Sequence, residues 1–557
     1  MKRDIESLKK NTFDVIVIGG GVTGASIAWD ASLRGLKVAL IEKKDFGHAT
    51  SAGTSKMIHG GLRYLEKLEF SVVRESLRER RLLERNIPHL AFPLPFILPV
   101  YDYLPLSRFM LKAGLTLYDL LSFDKNELPY SEKFLPNHQW LSREAVLELE
   151  PRINTRGLKG AYLYYDALNK FPERSNLEYI LSACDQKAVV ANYVEFADIL
   201  FEGPEKKRPA RNEIKKVIGV SAIDKLTNET FPISGDIVIN ASGPWVDKVL
   251  SRLIKKPARN IVRSKGIHLL LPKINNNCAL TISTRENKHF FIIPWLDYTL
   301  LGTTDQKFTG DMDNLRVSRS EAQEFLNLVK TYYPVDIGLS GVLHAYAGIR
   351  PLVVGDKKES TYSVSRKHEI IDHKKTDNIA GLYSVIGGKW TTSRALAELT
   401  VDKVLKNSTK PFVRSATKDT PLIGERFEGG FESALTENIR KMSSTLDPKL
   451  TERLFSYYGS EYVKIIALYK KNSKSKNPVH KLAQHTVAEI EHAVENESAI
   501  KLADFLMRRS TLGNTGIPES EILHNIADIM GSLLGWSKQD RQNEIAEYLS
   551  TYQLSDD

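Results

Sequence analysis

Asp14-Val-Ile-Val-Ile18 running into Gly19-Gly20-Gly21-Val-Thr-Gly24 is the stretch that decides the fold. A continuous apolar run rich in β-branched residues is the pattern of a strand covered on both faces. The segment from Val22 to Arg34 carries small residues at Ala25, Ala28 and Ala31, as a helix packed closely on a sheet requires. Lys37-Val-Ala-Leu-Ile41 is a second buried strand, and Glu42 ends it about 20 residues past the glycine turn. Strand, glycine turn, helix and strand form the first unit of a dinucleotide-binding sheet. The glycines permit the tight turn and let backbone approach a pyrophosphate, which rests on the helix N-terminus where N–H groups and the dipole favour negative charge. A carboxylate at position 42 accepts hydrogen bonds from the adenosine ribose and repels a 2′-phosphate, so NADP is disfavoured. A purely structural glycine turn is the alternative.

Two further strands of this kind return much later, Asp236-Ile-Val-Ile-Asn240 and Leu382-Tyr-Ser-Val-Ile386, the second followed by Gly387 and Gly388. From about Pro88 to Tyr164 no strand–helix alternation is visible. One nucleotide-binding domain interrupted by insertions accounts for this spacing. It comprises roughly residues 1–90, 175–262 and 345–418, with inserted substrate-binding segments at roughly 91–174 and 263–344. After Asp419 the pattern turns helical, with apolar residues at Val487, Ile490, Val494, Leu502 and Leu506. The expected fold class is α/β, a Rossmann-like domain carrying an inserted antiparallel sheet, with a separate helical domain at 419–557.

The 557 residues exceed what one core organises. A formal net charge of +10 suits an anionic membrane surface, a phosphorylated substrate or nucleic acid, and equally a solvated basic surface. The basic stretches Glu202–Lys216 and Lys470–Pro478 lack interleaved aromatics and read as exposed loops, so nucleic acid is not expected as a partner. Cys184 and Cys278 are too few for a disulfide framework and suit a reducing, cytoplasmic compartment. The first ten residues have no signal-peptide core, and no window offers the roughly 20 apolar residues that span a bilayer. His480, His485 and His492 lack an acidic partner and read as helical surface histidines, and no metal is expected. The segment Phe92–Ser122 interleaves large apolar residues with Arg108 and Lys112. It reads as core, the commoner fate of such residues, or as a surface lying on an anionic membrane.

Glycine spacing does not choose between FAD and NAD. Ser51-Ala-Gly-Thr-Ser-Lys56 and Ile58-His-Gly-Gly-Leu-Arg-Tyr-Leu-Glu66 are rich in small and hydroxyl residues, then present Arg63 and Tyr64. Such a segment suits a path beside a flavin ring, and a plain loop leading into a helix is the alternative. HGGLRYLE (His59 to Glu66) resembles the signature of FAD-dependent glycerol-3-phosphate dehydrogenases. Further similar motifs follow in order: NASGPWVD from Asn240, SKGIHLLLP from Ser264, LGTTDQKFTGD from Leu301, AYAGIRPL from Ala345 and GGKWTT from Gly387. The tail Glu489–Gly513 resembles the family's C-terminal helical domain, so the resemblance covers nearly the whole chain. Departures exist. Tyr164-Tyr-Asp166 leads into ALNKFPERSNLE where the family has a short spacer and D-A-R-L, Ala241-Ser-Gly243 replaces A-T-G, and Ser393-Arg394 lacks the family's tyrosine.

The resemblance implies a glutathione-reductase-like fold with FAD held by Gly19, Gly21, Gly24, Glu42, Ser51, Thr54, Ser55, Lys56, His59, Gly60, Gly243, Gly387 and Gly388. Its substrate, glycerol 3-phosphate, carries a phosphate dianion, which the guanidinium fork suits. Arg63, Arg350, Arg366 and Lys389 are the candidate cations, and Tyr64 and Thr391 the candidate hydroxyl donors. Arg366 has the least distinctive surroundings. Oxidation at C2 needs a base that titrates near neutrality, and His268 in SKGIH is the candidate, with Arg350 stabilising the developing alkoxide. The resemblance further implies a quinone as electron acceptor and peripheral association with the inner face of a membrane. It leaves the oligomeric state open, a homodimer included. Related oxidases that use oxygen carry an extra insertion with no obvious counterpart here. An amine or amino-acid oxidase on the same fold would need a carboxylate-binding arginine but no phosphate cluster.

Overall fold

The computed structural model describes residues 1–103, 108–203, 214–251, 253–254, 260–286, 288–354, 368–481 and 483–556. Arg366 and most of the basic stretch Glu202–Lys216 lie outside them. The apolar run at the start becomes the strand Thr12–Ile18, buried from Val15 onward. It pairs in parallel with Val38–Ile41 on one side (Val15 opposite Val38) and with Thr230–Asn240 on the other (Val15 opposite Ile237). Val189–Ala191 and Leu382–Ile386 extend the parallel array outward, and Glu369–Asp372 adds an antiparallel edge. Residues more than 350 positions apart therefore share one sheet, as an interrupted domain requires.

Both faces of this sheet are covered, which is why its strands are apolar on both sides. One face takes the helices Val22–Leu33, Pro172–Asp185 and Ser393–Lys406. The other takes the antiparallel strands Val194–Phe201 and Lys215–Asp224. The first helix lies so close to its strand that a Cβ added at Gly24 would stand 1.9 Å from the Gly19 carbonyl oxygen. Backbone cannot move aside as a flexible side chain does. Gly24→Ala is therefore expected to cost about 3 kcal/mol and to yield protein that releases FAD on gel filtration. Retention of stoichiometric flavin, read by absorbance, would count against that geometry.

The inserted segments build a second, ten-stranded and mostly antiparallel sheet. Met57–Ile58 and His344–Val354, which flank those segments, belong to it as well. The strand Ala91–Tyr101 explains the odd run of prolines. Pro93, Pro95 and Pro99 alternate, so their missing N–H groups all face one edge. The other edge pairs along its whole length with Leu158–Asn169, while the proline edge meets Ala279–Ser283 only at Phe96 and Ile97. The segment Phe92–Ser122 thus divides. The strand is core, and the amphipathic helix Arg108–Leu121 buries Leu115 and Tyr118 while exposing Phe109, Met110 and Leu120.

Beyond residue 419 the described chain is helical, with its own apolar cluster around Ile490, Phe505, Leu506, Ile526 and Met530. His480, His485 and His492 are not on the surface. All three are buried, because elements distant in sequence cover them, and His492 lies 3.3 Å from Glu497. Among the described residues no helix is long and apolar enough to cross a membrane, and no group of three acidic, histidine or cysteine side chains is arranged to hold a metal.

Candidate active site

A cavity of about 630 Å³ runs from the glycine turn to the junction of the two sheets. Its first end is built by Gly19, Gly21 and Glu42. Gly19 adopts φ +108°, open to glycine at little cost, and a Cβ there would meet the Ala241 carbonyl oxygen at 2.7 Å. The helix cap is Gly21, which brings no side chain to its own first turn, and Ser51 Oγ instead accepts from the Val22 N–H at 2.8 Å. Glu42 is buried and accepts from the N–H groups of Gly20 (2.7 Å) and Lys44 (2.9 Å). Burial pushes its carboxyl up, against the pull of those two donors. Glycines without room for a Cβ, a helix N-terminus and a buried carboxylate form the donor and acceptor set that FAD needs.

The far end brings His268 and Arg350 to one wall. Arg350, Gly348 and Tyr346 alternate along the strand His344–Val354 and so share one face. His268, on the neighbouring strand Asn260–Pro272, stands opposite Tyr346 on one side and Gly302 on the other. Its ring stacks on Tyr346 (centroids 5.0 Å apart, planes 16° apart) and lies over Gly302, where a Cβ would come within 2.1 Å of it. Its Nε2 meets Ser55 Oγ at 2.8 Å, and Tyr346 Oη donates to the Thr54 carbonyl at 2.9 Å. One tyrosine therefore fixes both the imidazole plane and the loop carrying its hydrogen-bond partner. Burial, aided by the Arg350 and Lys56 charges, holds the imidazole well below its ordinary value, so it is neutral at pH 7. Arg350 Nη2 donates to Thr303 Oγ1 at 3.0 Å, in space left by the missing side chain of Gly266.

Lys389, Thr391, Tyr64 and His59 also line the cavity, as do Thr54, Ser55, Gly243, Gly387 and Gly388. Lys389 Nζ donates to Ser76 Oγ at 2.9 Å and lies 3.9 Å from the centre of the Tyr64 ring. Thr391 Oγ1 accepts from the His59 N–H at 3.4 Å. The structure places four other sequence candidates off the cavity wall. Gly24 packs helix against strand, and Lys56 pairs with Glu173 at 3.2 Å. Gly60 donates to Tyr118 Oη at 3.0 Å, which in turn donates to Asp166. Arg63 makes itself felt at His289, whose imidazole is held at about 4 by burial and that positive charge. Asp166, in the segment that departs from the family pattern, is engaged by Arg80, Tyr118 and Gly60 behind the HGGLR loop.

Sequence reasoning passed over Tyr346, Gly302 and Trp245. The period-two alternation from Arg350 back through Gly348 was the signal available for Tyr346. Gly302 lies inside the LGTTDQKFTGD motif, but its role depends on which strand becomes the neighbour of His268. At the mouth Lys43 lies 4.4 Å from the centre of the Trp245 ring and pairs with Asp313, joining the first sheet to a loop of the second.

Comparison with known proteins gives this arrangement its context. Residues 14–403 match the family model described as FAD dependent oxidoreductase, and residues 415–541 match the C-terminal domain of alpha-glycerophosphate oxidase. A glycerol-3-phosphate dehydrogenase of Synechocystis sp. is 34% identical over 98% of this chain and 97% of its own. The mitochondrial glycerol-3-phosphate dehydrogenase of Mus musculus is 33% identical over 96% of this chain and 73% of its own. The crystal structure of the glycerol-3-phosphate dehydrogenase from Bacillus halodurans complexed with FAD aligns with a TM-score of 0.77 at 25% identity, covering 98% of this chain and 96% of that one. With the oxidoreductase model spanning well over half of its length and a glycerol-3-phosphate dehydrogenase 34% identical over nearly all of both chains, the chain belongs to the FAD-dependent glycerol-3-phosphate dehydrogenases.

Proposed function

We propose that this enzyme oxidises sn-glycerol 3-phosphate to dihydroxyacetone phosphate and passes the electrons to a membrane quinone. The observation that carries the reading is the convergence of His268, Arg350 and Lys389 on the one cavity that also holds the glycine turn and Glu42. Bound FAD supplies the acceptor for the hydride that leaves the substrate C2, at flavin N5. The chain supplies the rest. His268, neutral and ordered by Ser55 and Tyr346, takes the proton of the C2 hydroxyl as that hydride departs. Arg350 offers N–H donors to the oxygen as it gains negative charge. Lys389 and the hydroxyls of Tyr64 and Thr391 receive the phosphate dianion.

The phosphate role of Lys389 has a direct consequence. Lys389→Met is expected to raise KM for glycerol 3-phosphate roughly 30-fold, the equivalent of about 2 kcal/mol for a lost charge-assisted hydrogen bond, with a smaller change in kcat. Steady-state kinetics decides it, and an unchanged KM would remove Lys389 from the phosphate site.

The exposed apolar residues of Arg108–Leu121, with Phe123 beside them, support a surface that lies on a membrane. One observation favours a second acceptor. The C-terminal model that matches is named for an oxidase, so oxygen is the rival to quinone. An anaerobic absorbance spectrum tests the main reading, taken before and after adding glycerol 3-phosphate, with glycerol and glycine as controls. Bleaching of the flavin band by the phosphorylated substrate alone is expected, and a flavin that stays oxidised would overturn it. Readmitting oxygen with catalase-sensitive peroxide detection then separates the two acceptors.

A further inference from the structure

Asp45 is completely buried beside the cofactor cavity, and neither the sheet nor the reaction just described uses its charge. Its partners come from the other end of the chain. Arg509 Nη2 donates to Asp45 Oδ1 at 2.9 Å, while Arg509 Nη1 and Arg508 Nε both donate to Oδ2. Asn192 Nδ2 adds a fourth donor at 3.0 Å. The arginines are anchored in turn: Arg508 Nη2 donates to Asp504 Oδ1 at 2.8 Å and Arg509 Nη2 to the Glu497 carbonyl at 2.8 Å. Tyr193 Oη, from the first domain, closes the network on Asp504 at 2.7 Å. Burial works to raise the Asp45 carboxyl, and the charges of Arg509 and Arg508 outweigh it and hold it down at about 2.

Adjacent residues on an α-helix diverge by roughly 100°, so two consecutive arginines do not ordinarily share one carboxylate. Here they lie on the π-helical turn Phe505–Arg509, a conformation that recurs where function imposes a geometry. What they hold is the turn at residues 45–48. The Asp45 carbonyl oxygen accepts from His48 Nδ1 at 3.1 Å, which fixes the tautomer with the proton on Nδ1. That nitrogen lies 3.7 Å from Glu42 Oε1. The Gly47 N–H donates to the Gly20 carbonyl at 3.0 Å, and Phe46 closes over Gly20 so tightly that a Cβ there would meet it at 2.7 Å. Glu42, Gly47 and His48 all line the cavity.

We propose that Arg509, with Arg508, is a positioning residue for the adenosine half of FAD: the C-terminal domain grips Asp45 and thereby sets the wall formed by Glu42, Gly47 and His48. This gives the helical domain a part in cofactor binding, although none of its described residues lines the cavity. The inference rests on the adenosine ribose lying at Glu42. It does not depend on which substrate reduces the flavin.

Arg509→Lys keeps the charge but cannot make both bonds to Asp45 and the third to the Glu497 carbonyl. The test uses full-length apoprotein, titrated with FAD, with ADP as a probe of the adenosine half, and with FMN as a probe of the flavin half. Expected is a rise of about 10-fold in Kd for FAD and for ADP alike, with Kd for FMN unchanged and the apoprotein Tm within a few degrees of wild type. ADP bound as tightly as by wild type would overturn the proposal. A loss of FMN affinity as large as the loss for ADP would do the same, since that marks a general loosening. If Arg509→Lys does not fold, Arg508→Lys takes its place, because Arg508 is partly solvated; a rise of about 3-fold for FAD and ADP is then expected, with the same overturning results. Reduction of the wild-type flavin by glycerol 3-phosphate is scored separately, so failure of the reaction assignment is distinguishable.

Discussion

His268→Asn is expected to lower kcat by about 10²–10⁴-fold, the range for removing a positioned general base, while the flavin spectrum and content stay those of wild type. Asparagine fits the space over Gly302 and keeps a hydrogen-bonding group near Ser55, so the loss isolates proton transfer from packing. The pH profile carries the stricter test. Burial, Arg350 and Lys56 depress the imidazole in the free enzyme, so it gains a proton only well below 6.5. The acid limb of kcat/KM assigned to this group should therefore lie well below 6.5, and activity should stay level as pH falls through the ordinary histidine value. Arrival of the phosphate dianion favours the imidazolium, so the corresponding limb in kcat should lie higher than in kcat/KM. The variant should lose that limb altogether. Rapid-mixing measurement of flavin reduction across pH reads both quantities. A variant that reduces its flavin within a few-fold of wild type would show that another group takes the proton.

The parts of this site that the sequence made legible are those built from neighbours along the chain. Asp14 to Glu42 declared itself because an unbroken apolar run, a glycine turn and small residues at helical spacing all fall within 29 positions. The later strands ending at Asn240 and Ile386 were also legible because they repeat that pattern, and they pair into the same sheet. The second sheet was expected as an antiparallel insertion, but its strand order and register were not legible. Pro93, Pro95 and Pro99 make sense only once one strand edge is known to need no donors. The buried histidines of the C-terminal domain were misread for a related reason: local spacing reports nothing about which distant element covers a residue. Asp45 and Arg509 are the extreme case, 464 positions apart with no shared local pattern. His268 and Arg350 came forward through the motifs around them, while Tyr346 and Gly302, which hold His268 in place, depend on strand register.

Arg350→Lys is expected to reduce kcat and kcat/KM together by roughly 10²-fold, close to the cost of removing one oxyanion donor, about 3 kcal/mol. Lysine keeps the positive charge, so binding of an anionic substrate should suffer little. What it loses is the planar fork, which now spends one nitrogen on Thr303 Oγ1 at 3.0 Å and keeps its remaining donors in a fixed plane. An ammonium has three donors but gathers them on one nitrogen at the end of a flexible stem, so it does not present one to Thr303 and another to the substrate oxygen in the fixed geometry of the fork. Equal losses in kcat and kcat/KM mark an interaction made in the transition state, whereas a rise in KM alone marks uniform binding. The second pattern would move Arg350 out of the chemistry and into the phosphate site beside Lys389. A shift in pH dependence should accompany the first pattern only modestly, since lysine preserves the charge that helps to depress His268. Arg350→Met removes that charge and should raise the acid limb of kcat/KM toward 6.5, so the two variants together separate the donor role of Arg350 from its electrostatic one.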